Sequence, residues 1–160
     1  MSLSHLDEEG KARMVDVSEK NVTARRARAM GTVYLAESTL AAIAEGRTPK
    51  GDVFAAARLA GIMAAKRCDE LIPLCHSIPL DNVEIDMLPR PNPPRVEIKS
   101  EVSCRAKTGA EMEALVAVSV AALTLYDMIK AIDRAATISD IRLVEKSGGK
   151  TGHYVREEKP

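Results

Sequence analysis

Residues 82–105 read NVEIDMLPRPNPPRVEIKSEVSCR. The stretch alternates apolar and polar residues on either side of a proline-rich centre. In the first half Val83, Ile85 and Met87 share one face, and Glu84 and Asp86 the other. In the second half Val96, Ile98, Val102 and Cys104 lie opposite Glu97, Lys99 and Glu101. Side chains alternate along a strand with a period of two, so each half has one apolar and one solvated face. The link PRPNPP over 89–94 is a turn region. Two half-solvated strands joined this way form an antiparallel hairpin.

Two strong helical segments flank the hairpin. GDVFAAARLAGIMAAKRCDELI predicts a helix over about 52–69, with Asp52 as N-cap. Its alanines and Gly61 permit close approach of another backbone. Pro73 then ends regular helix, and LIPLCHSIPL (71–80) follows as an apolar connector. TGAEMEALVAVSVAALTLYDMIKAI predicts a second helix from Thr108 or Gly109 to about Ile132, apolar nearly all round and so buried on more than one side. A short helix is expected over 37–46, stopped by Gly46. Further strands are expected over 14–18 (MVDVS), 27–35 (ARAMGTVYL) and 140–147 (DIRLVEKS). An antiparallel sheet with two long helices is α+β. The expected organisation is a flexible N-terminal tail (1–13), a single α+β domain (14–152) and a C-terminal tail (153–160).

The 160 residues suit one domain and balance 23 basic against 23 acidic residues. This gives no global electrostatic case for nucleic acid or an anionic membrane. Aromatics are only 2%, which leaves little to stack on unpaired bases. The N-terminus has no signal-peptide pattern, and no apolar run is expected to reach bilayer-spanning length. Three cysteines without close pairing read as reduced thiols in the cytoplasm. Any basic function is local: residues 21–50 carry Arg25, Arg26, Arg28, Arg47 and Lys50 against Glu37 and Glu45.

Four constellations carry possible chemistry. Cys75 and His76 stand side by side in the apolar connector, where an unpartnered polar group is costly. A structural zinc site wants four ligands, and by spacing none is near: Cys68 is seven residues back, and His5 and His153 lie near the termini. Neighbours in an extended segment point oppositely, so the pair is not its own catalytic dyad. A hydrogen-bonded core histidine and a ligand-facing His76 both remain open. On the second long helix, Glu111 and Glu113 occupy the first turn, and Asp127 and Lys130 lie three apart near the end. They read either as capping acids with a surface ion pair, or as a buried Asp–Lys pair suited to acid–base work. Glu113 and Asp127 face the same side, yet fourteen residues at 1.5 Å rise place them about 21 Å apart. One small site cannot use both from one straight helix, so two copies would have to pair one helix start with another helix end. KSGGKTG (146–152) suits a phosphate cradle, with a flexible lysine loop as the plain alternative. It is not a P-loop, because Val144 stands where that motif needs glycine. Lys50 precedes a helix N-terminus, which favours anions, and is either solvated or part of a polyphosphate site with Arg25 and the glycine loop.

Together MVDVS, KGDVFAAARLAGIMAAKRCDELIPLCH, KTGAEMEALVAVSVAALTLYDMIKAID and KSGGKTG resemble the cyclic pyranopterin monophosphate synthase family of molybdenum cofactor biosynthesis (protein C family). The resemblance runs from about Met14 to Gly152. Ser77 stands where the family usually has proline, and Thr151 where serine is common. The resemblance implies a ferredoxin-like α+β fold in a homohexamer, a trimer of dimers with sites between subunits. It implies a lyase acting on a cyclised GTP derivative and releasing diphosphate. It places substrate contacts on Leu74, Cys75, His76, Met112 and Glu113, with Glu111 in the acidic pair, and the catalytic aspartate on Asp127. Its functional lysines match Lys50, Lys130, Lys146 and Lys150, and its arginine matches Arg25. Asp127 and Lys130 are then the expected acid–base pair. No metal ligand cluster and no cofactor are expected, though Mg2+ on the triphosphate is compatible. A non-catalytic nucleotide-phosphate sensor is the rival reading.

Overall fold

The central strand β1 (Thr23–Tyr34) buries Ala27, Ala29, Gly31 and Val33 and turns Arg26 and Arg28 to the other face. In the computed structural model, which describes residues 9–150 and 152–157, it is followed by α1 (Glu37–Ala44), α2 (Val53–Ala65) and α3 (Cys68–Leu71). Then come β2 (Asn82–Pro91), β3 (Pro94–Ala106), α4 (Glu111–Ile129), β4 (Thr137–Ser147) and β5 (Tyr154–Val155). The five strands form one sheet in the order β2-β3-β1-β4-β5, with every neighbouring pair antiparallel. The chain is α+β.

The order has a simple origin. β2 and β3 are the expected hairpin, and their inward residues Ile85, Met87, Val96, Ile98, Val102 and Cys104 are all buried. β1 runs parallel to β2 across β3, and β3 runs parallel to β4 across β1. Each such pair needs a crossover, which α1–α2 and α4 supply. Both crossovers lie over the apolar sheet face. Val33, Val96, Ile98 and Val102 from the sheet meet Val118, Leu125 and Ile129 of α4, all fully buried. A side chain at Gly31 would meet Val118 Cγ1 at 2.7 Å, and one at Gly61 would meet the Ala117 carbonyl at 2.7 Å. Glycine therefore lets α4 settle on β1 and α2 settle on α4. The opposite sheet face is solvated and carries the Arg26–Glu101, Arg28–Glu101 and Arg28–Glu145 ion pairs.

Several sequence expectations are corrected. Residues 14–18 form no ladder and no regular structure, with Val15 and Val17 half-buried, so the alternation reflects packing beside a cleft rather than a strand. The helix expected over 52–69 breaks after Ala65 into α2 and the single turn α3. The break tucks Cys68 into a small cluster with Ala64 and Val116. The proline-rich link is mostly strand: Pro91 pairs with Pro94, leaving only Asn92 and Pro93 in the turn. α4 is, by length and composition, apolar enough to cross a membrane, against the expectation that no run reaches that length. It is the core helix, buried between α2 and the sheet. Of the expected tails, residues 1–8 and 158–160 lie outside the described residues, as does Thr151, while Tyr154 and Val155 pair with β4.

Candidate functional site

Two clefts meet at the N-terminal end of α4. The first, of about 610 Å³, is lined by Leu74, Cys75, His76, Glu111, Met112 and Glu113, with Val15, Val17 and Ile72 as its apolar wall. The second, of about 580 Å³, is lined by Arg25, Lys107, Lys146, Gly149 and Lys150 with Thr23. Lys20, Thr108, Gly109 and Glu111 belong to both, so the clefts are continuous. One has an apolar wall with a carboxylate at its floor, and the other is strongly cationic.

Local geometry fixes each group. Pro73 keeps the connector from continuing α3, and the Cys75 amide donates to the Ile72 carbonyl, turning the thiol inward. Cys75 Sγ lies 3.8 Å from Glu113 Oε1 and 3.9 Å from Cys68 Sγ. His76 points elsewhere and its Nε2 donates to the Val15 carbonyl at 2.7 Å. His76 is therefore hydrogen-bonded but half-buried rather than a core histidine, and its ring lines the cleft. Glu113 is only 3% exposed, and its Oε2 has no hydrogen-bond partner. Burial pushes the Glu113 carboxyl above the usual carboxylate range. Burial, and then the neighbouring Glu113, likewise push the Cys75 and Cys68 thiols up. Among the described residues the buried side-chain atoms lacking a partner are Glu113 Oε2 and Thr23 Oγ1, one in each cleft. Such groups are rare in folded proteins.

The cationic cleft is built by the glycine loop. Gly148 and Gly149 have φ of 96° and 74°. A side chain at Gly148 would strike the Ala24 carbonyl, and one at Gly149 the Arg25 guanidinium. Only glycine lets the loop pass over Arg25, whose Nε and Nη2 donate to the Ala106 and Lys107 carbonyls at 3.4 and 3.3 Å. Lys146 reaches Glu111 Oε1 at 2.8 Å, which ties the loop to the start of α4.

Lys50, Asp127 and Lys130 form a separate group. Lys50 Nζ lies 2.6 Å from Asp127 Oδ2, and Lys130 Nζ 2.7 Å from Oδ1. The side chains of Asp127 and Lys130 are half-exposed, at 50% and 52%. The expectation of a buried pair is thus corrected for the single chain: the apolar neighbours in sequence occupy the other sides of α4, and this edge faces outward. Lys130, then Lys50, hold the Asp127 carboxyl down at about 2, and Asp127 raises the Lys130 ammonium. Lys50 is also corrected. It caps Asp127 rather than joining Arg25 and the glycine loop within one chain.

Sequence reasoning missed Lys20, Lys107, Thr23, Val15 and Val17 as lining residues. β1 begins opposite the end of β3, with Thr23 paired to Ala106, which brings Lys107 beside the segment entering β1. Lys107 indeed donates to the Ser18 carbonyl at 2.6 Å. That meeting depends on strand register, which the residue pattern alone does not give.

The MoaC family model matches residues 14–149. The chain is 59% identical over 156 residues to "Cyclic pyranopterin monophosphate synthase 3" of Mycobacterium bovis, covering 98% of this chain and 88% of that protein. It is 57% identical over 156 residues to "Cyclic pyranopterin monophosphate synthase" of Heliobacterium modesticaldum, covering 98% of each. A protein of the same name from Thermomicrobium roseum is 56% identical over 156 residues, covering 98% of this chain and 94% of that protein. The chain belongs to the MoaC family.

Proposed function

We propose that this MoaC-family chain is a cyclic pyranopterin monophosphate synthase. It is a lyase converting (8S)-3′,8-cyclo-7,8-dihydroguanosine 5′-triphosphate into cyclic pyranopterin monophosphate and diphosphate, in molybdenum cofactor biosynthesis. The observation that carries the reading at this site is the continuity of the two clefts through Glu111 and Gly109: one suits a ring with an N–H edge, the other a triphosphate.

Glu113 grips the guanine-derived ring, because a carboxylate accepts two hydrogen bonds from that edge and its Oε2 has no other partner. Leu74, Met112 and the backbone about Cys75 wall the ring, and His76 holds the Val15 segment over it. Arg25, Lys146 and Lys150 hold the triphosphate and stabilise the departing diphosphate, joined by Lys20 and Lys107. Mg2+ belongs to the proposal only as an ion carried on the phosphates, since Glu111 in this cleft is already paired with Lys146.

Asp127 and Lys130 serve as the acid–base pair, with Lys50. In the single chain their contacts push both away from neutrality, which suits charge holding rather than proton transfer. A polyanion drawing Lys50 toward phosphate would free Asp127 Oδ2 and bring its proton affinity up. Such a substrate reaches this group from the other end of α4 only through a second copy. We therefore place the active site between subunits of a homohexamer, a trimer of dimers. Exposed Leu59, Met63, Leu71 and Leu123 on the helical face support association. The two skipped-strand crossovers support a ferredoxin-like topology. Three free thiols are in keeping with the cytoplasm.

The test is incubation of the purified protein with the cyclised GTP derivative, following diphosphate and the cyclic monophosphate product. Equimolar release of both is expected. Tight binding without release would instead favour a nucleotide-phosphate sensor.

A further inference from the structure

Residues seven apart in sequence and on separate elements converge at one point. Cys68 Sγ and Cys75 Sγ are 3.9 Å apart, and Cys75 Sγ is 3.8 Å from Glu113 Oε1. All three ligand atoms lie within 4.8 Å of one another. A tetrahedral zinc ion with Zn–S bonds of about 2.3 Å holds two thiolates about 3.8 Å apart. The edges of this triangle therefore approach those of a zinc coordination shell before any ion is added. The second carboxylate oxygen, Glu113 Oε2, is buried without a hydrogen-bond partner, so an unspent acceptor is enclosed beside the two sulfurs. Three acidic groups crowd this point, and among the described residues the structure gives the Glu113 side chain no cationic partner.

We propose that Cys68, Cys75 and Glu113 form a binding site for a soft divalent cation of the zinc class, with a fourth, exchangeable ligand supplied from the cleft that Cys75 and Glu113 line. Two thiolates and a carboxylate are a donor set zinc accepts, and three protein ligands leave one position open. Binding releases the protons held by the two thiols to bulk water, with no change of oxidation state. Because Cys75 and Glu113 also line the proposed ring cleft, an occupied site excludes the substrate ring. Zinc then acts as a competitive inhibitor; that consequence alone rests on the proposed function.

The test uses the full-length protein, reduced with a non-coordinating phosphine and titrated with Co2+ alone and then Zn2+ alone. One equivalent of Co2+ per chain should bring in thiolate-to-cobalt charge-transfer absorption and intense tetrahedral ligand-field bands, both bleached by Zn2+. The thiolate absorption should be lost or sharply reduced in Cys68→Ser and retained in Cys104→Ala, whose buried thiol on β3 is not one of the three converging ligands. Should Cys68→Ser not fold, X-ray absorption of the zinc-loaded wild-type protein decides. Two sulfur neighbours at about 2.3 Å are expected. A shell without sulfur, or cobalt absorption unchanged in folded Cys68→Ser, overturns the site. Neither measurement needs turnover, so failure of the metal site and failure of the enzymatic reading are separable.

Discussion

Glu113 is a carboxylic acid held where its ionisation is resisted. Its folded-state proton affinity is raised above the ordinary value of 4.5, chiefly by burial. Above that value the folded chain therefore binds more protons here than the unfolded chain does. The group's contribution is complete below the unfolded value and is lost as pH rises through the folded one. Glu113→Gln keeps the shape and removes the titration. The melting temperature of the variant minus that of the wild type is expected to rise as the pH increases above 4.5. A difference independent of pH would contradict the buried, unpaired carboxyl. Asp127 is the opposite case: its folded value of about 2 lies below 3.8, so it stays ionised at neutral pH. Asp127→Asn should leave the fold intact, because the side chain is half-exposed, and lower turnover by about 100- to 10,000-fold. Near-normal turnover would remove Asp127 from the mechanism. At this scale the sequence picked out both acids, Asp127 as a charge set in an apolar helix and Glu113 as an acid in that helix's first turn. It misjudged the burial of Asp127, because which edge of α4 faces outward depends on where α2 and the sheet lie. It also set Cys68 aside on spacing, whereas the break between α2 and α3 folds the chain back and brings the two thiols together.

Elements pack here through glycines at particular crossings. A side chain at Gly61 would meet Ile85 and the Ala117 carbonyl, so Gly61→Val should overpack the α2–α4 contact and destabilise the chain by about 1–3 kcal/mol, read as a fall in melting temperature. An unchanged melting temperature would mean that the helices are not in this contact. Gly149→Ala acts differently. Its left-handed backbone, with φ of 74°, costs about 1–2 kcal/mol for an L side chain, and the new methyl displaces the Arg25 guanidinium. We expect KM for the triphosphate substrate to rise while stability falls only modestly; an unaltered KM would detach the loop from phosphate binding. The hairpin was legible because a period of two is written directly in the residues, α1 because Gly46 marks its end, and the body of α4 because its apolar run is long and unbroken by proline. The MVDVS segment was not, since an irregular chain beside a cleft and a strand in a ladder show the same alternation. The meeting of Lys20, Thr23 and Lys107 was hidden for a related reason: it needs the β1–β3 register.

Across the whole molecule, one chain carries two separate groups of candidate residues. Glu113, Cys75, Arg25 and the glycine loop gather at the start of α4, and Lys50, Asp127 and Lys130 at its end, about 21 Å away along a straight helix. That separation was readable from sequence because helix rise is fixed. The joining of ring and phosphate clefts at the same end was not, since it depends on the sheet order that sets β1 between β3 and β4. If the active site lies between copies, damage at one end of one chain is compensated by an intact end of another. The most direct measurement is diphosphate release from the cyclised GTP derivative by Glu113→Ala and Asp127→Ala proteins, each inactive alone, after equimolar mixing under subunit exchange. Random pairing restores both intact halves in about one site in four, so roughly a quarter of wild-type turnover is expected. Release no greater than the sum of the two separate proteins, with exchange verified by mass, would contradict a site shared between subunits.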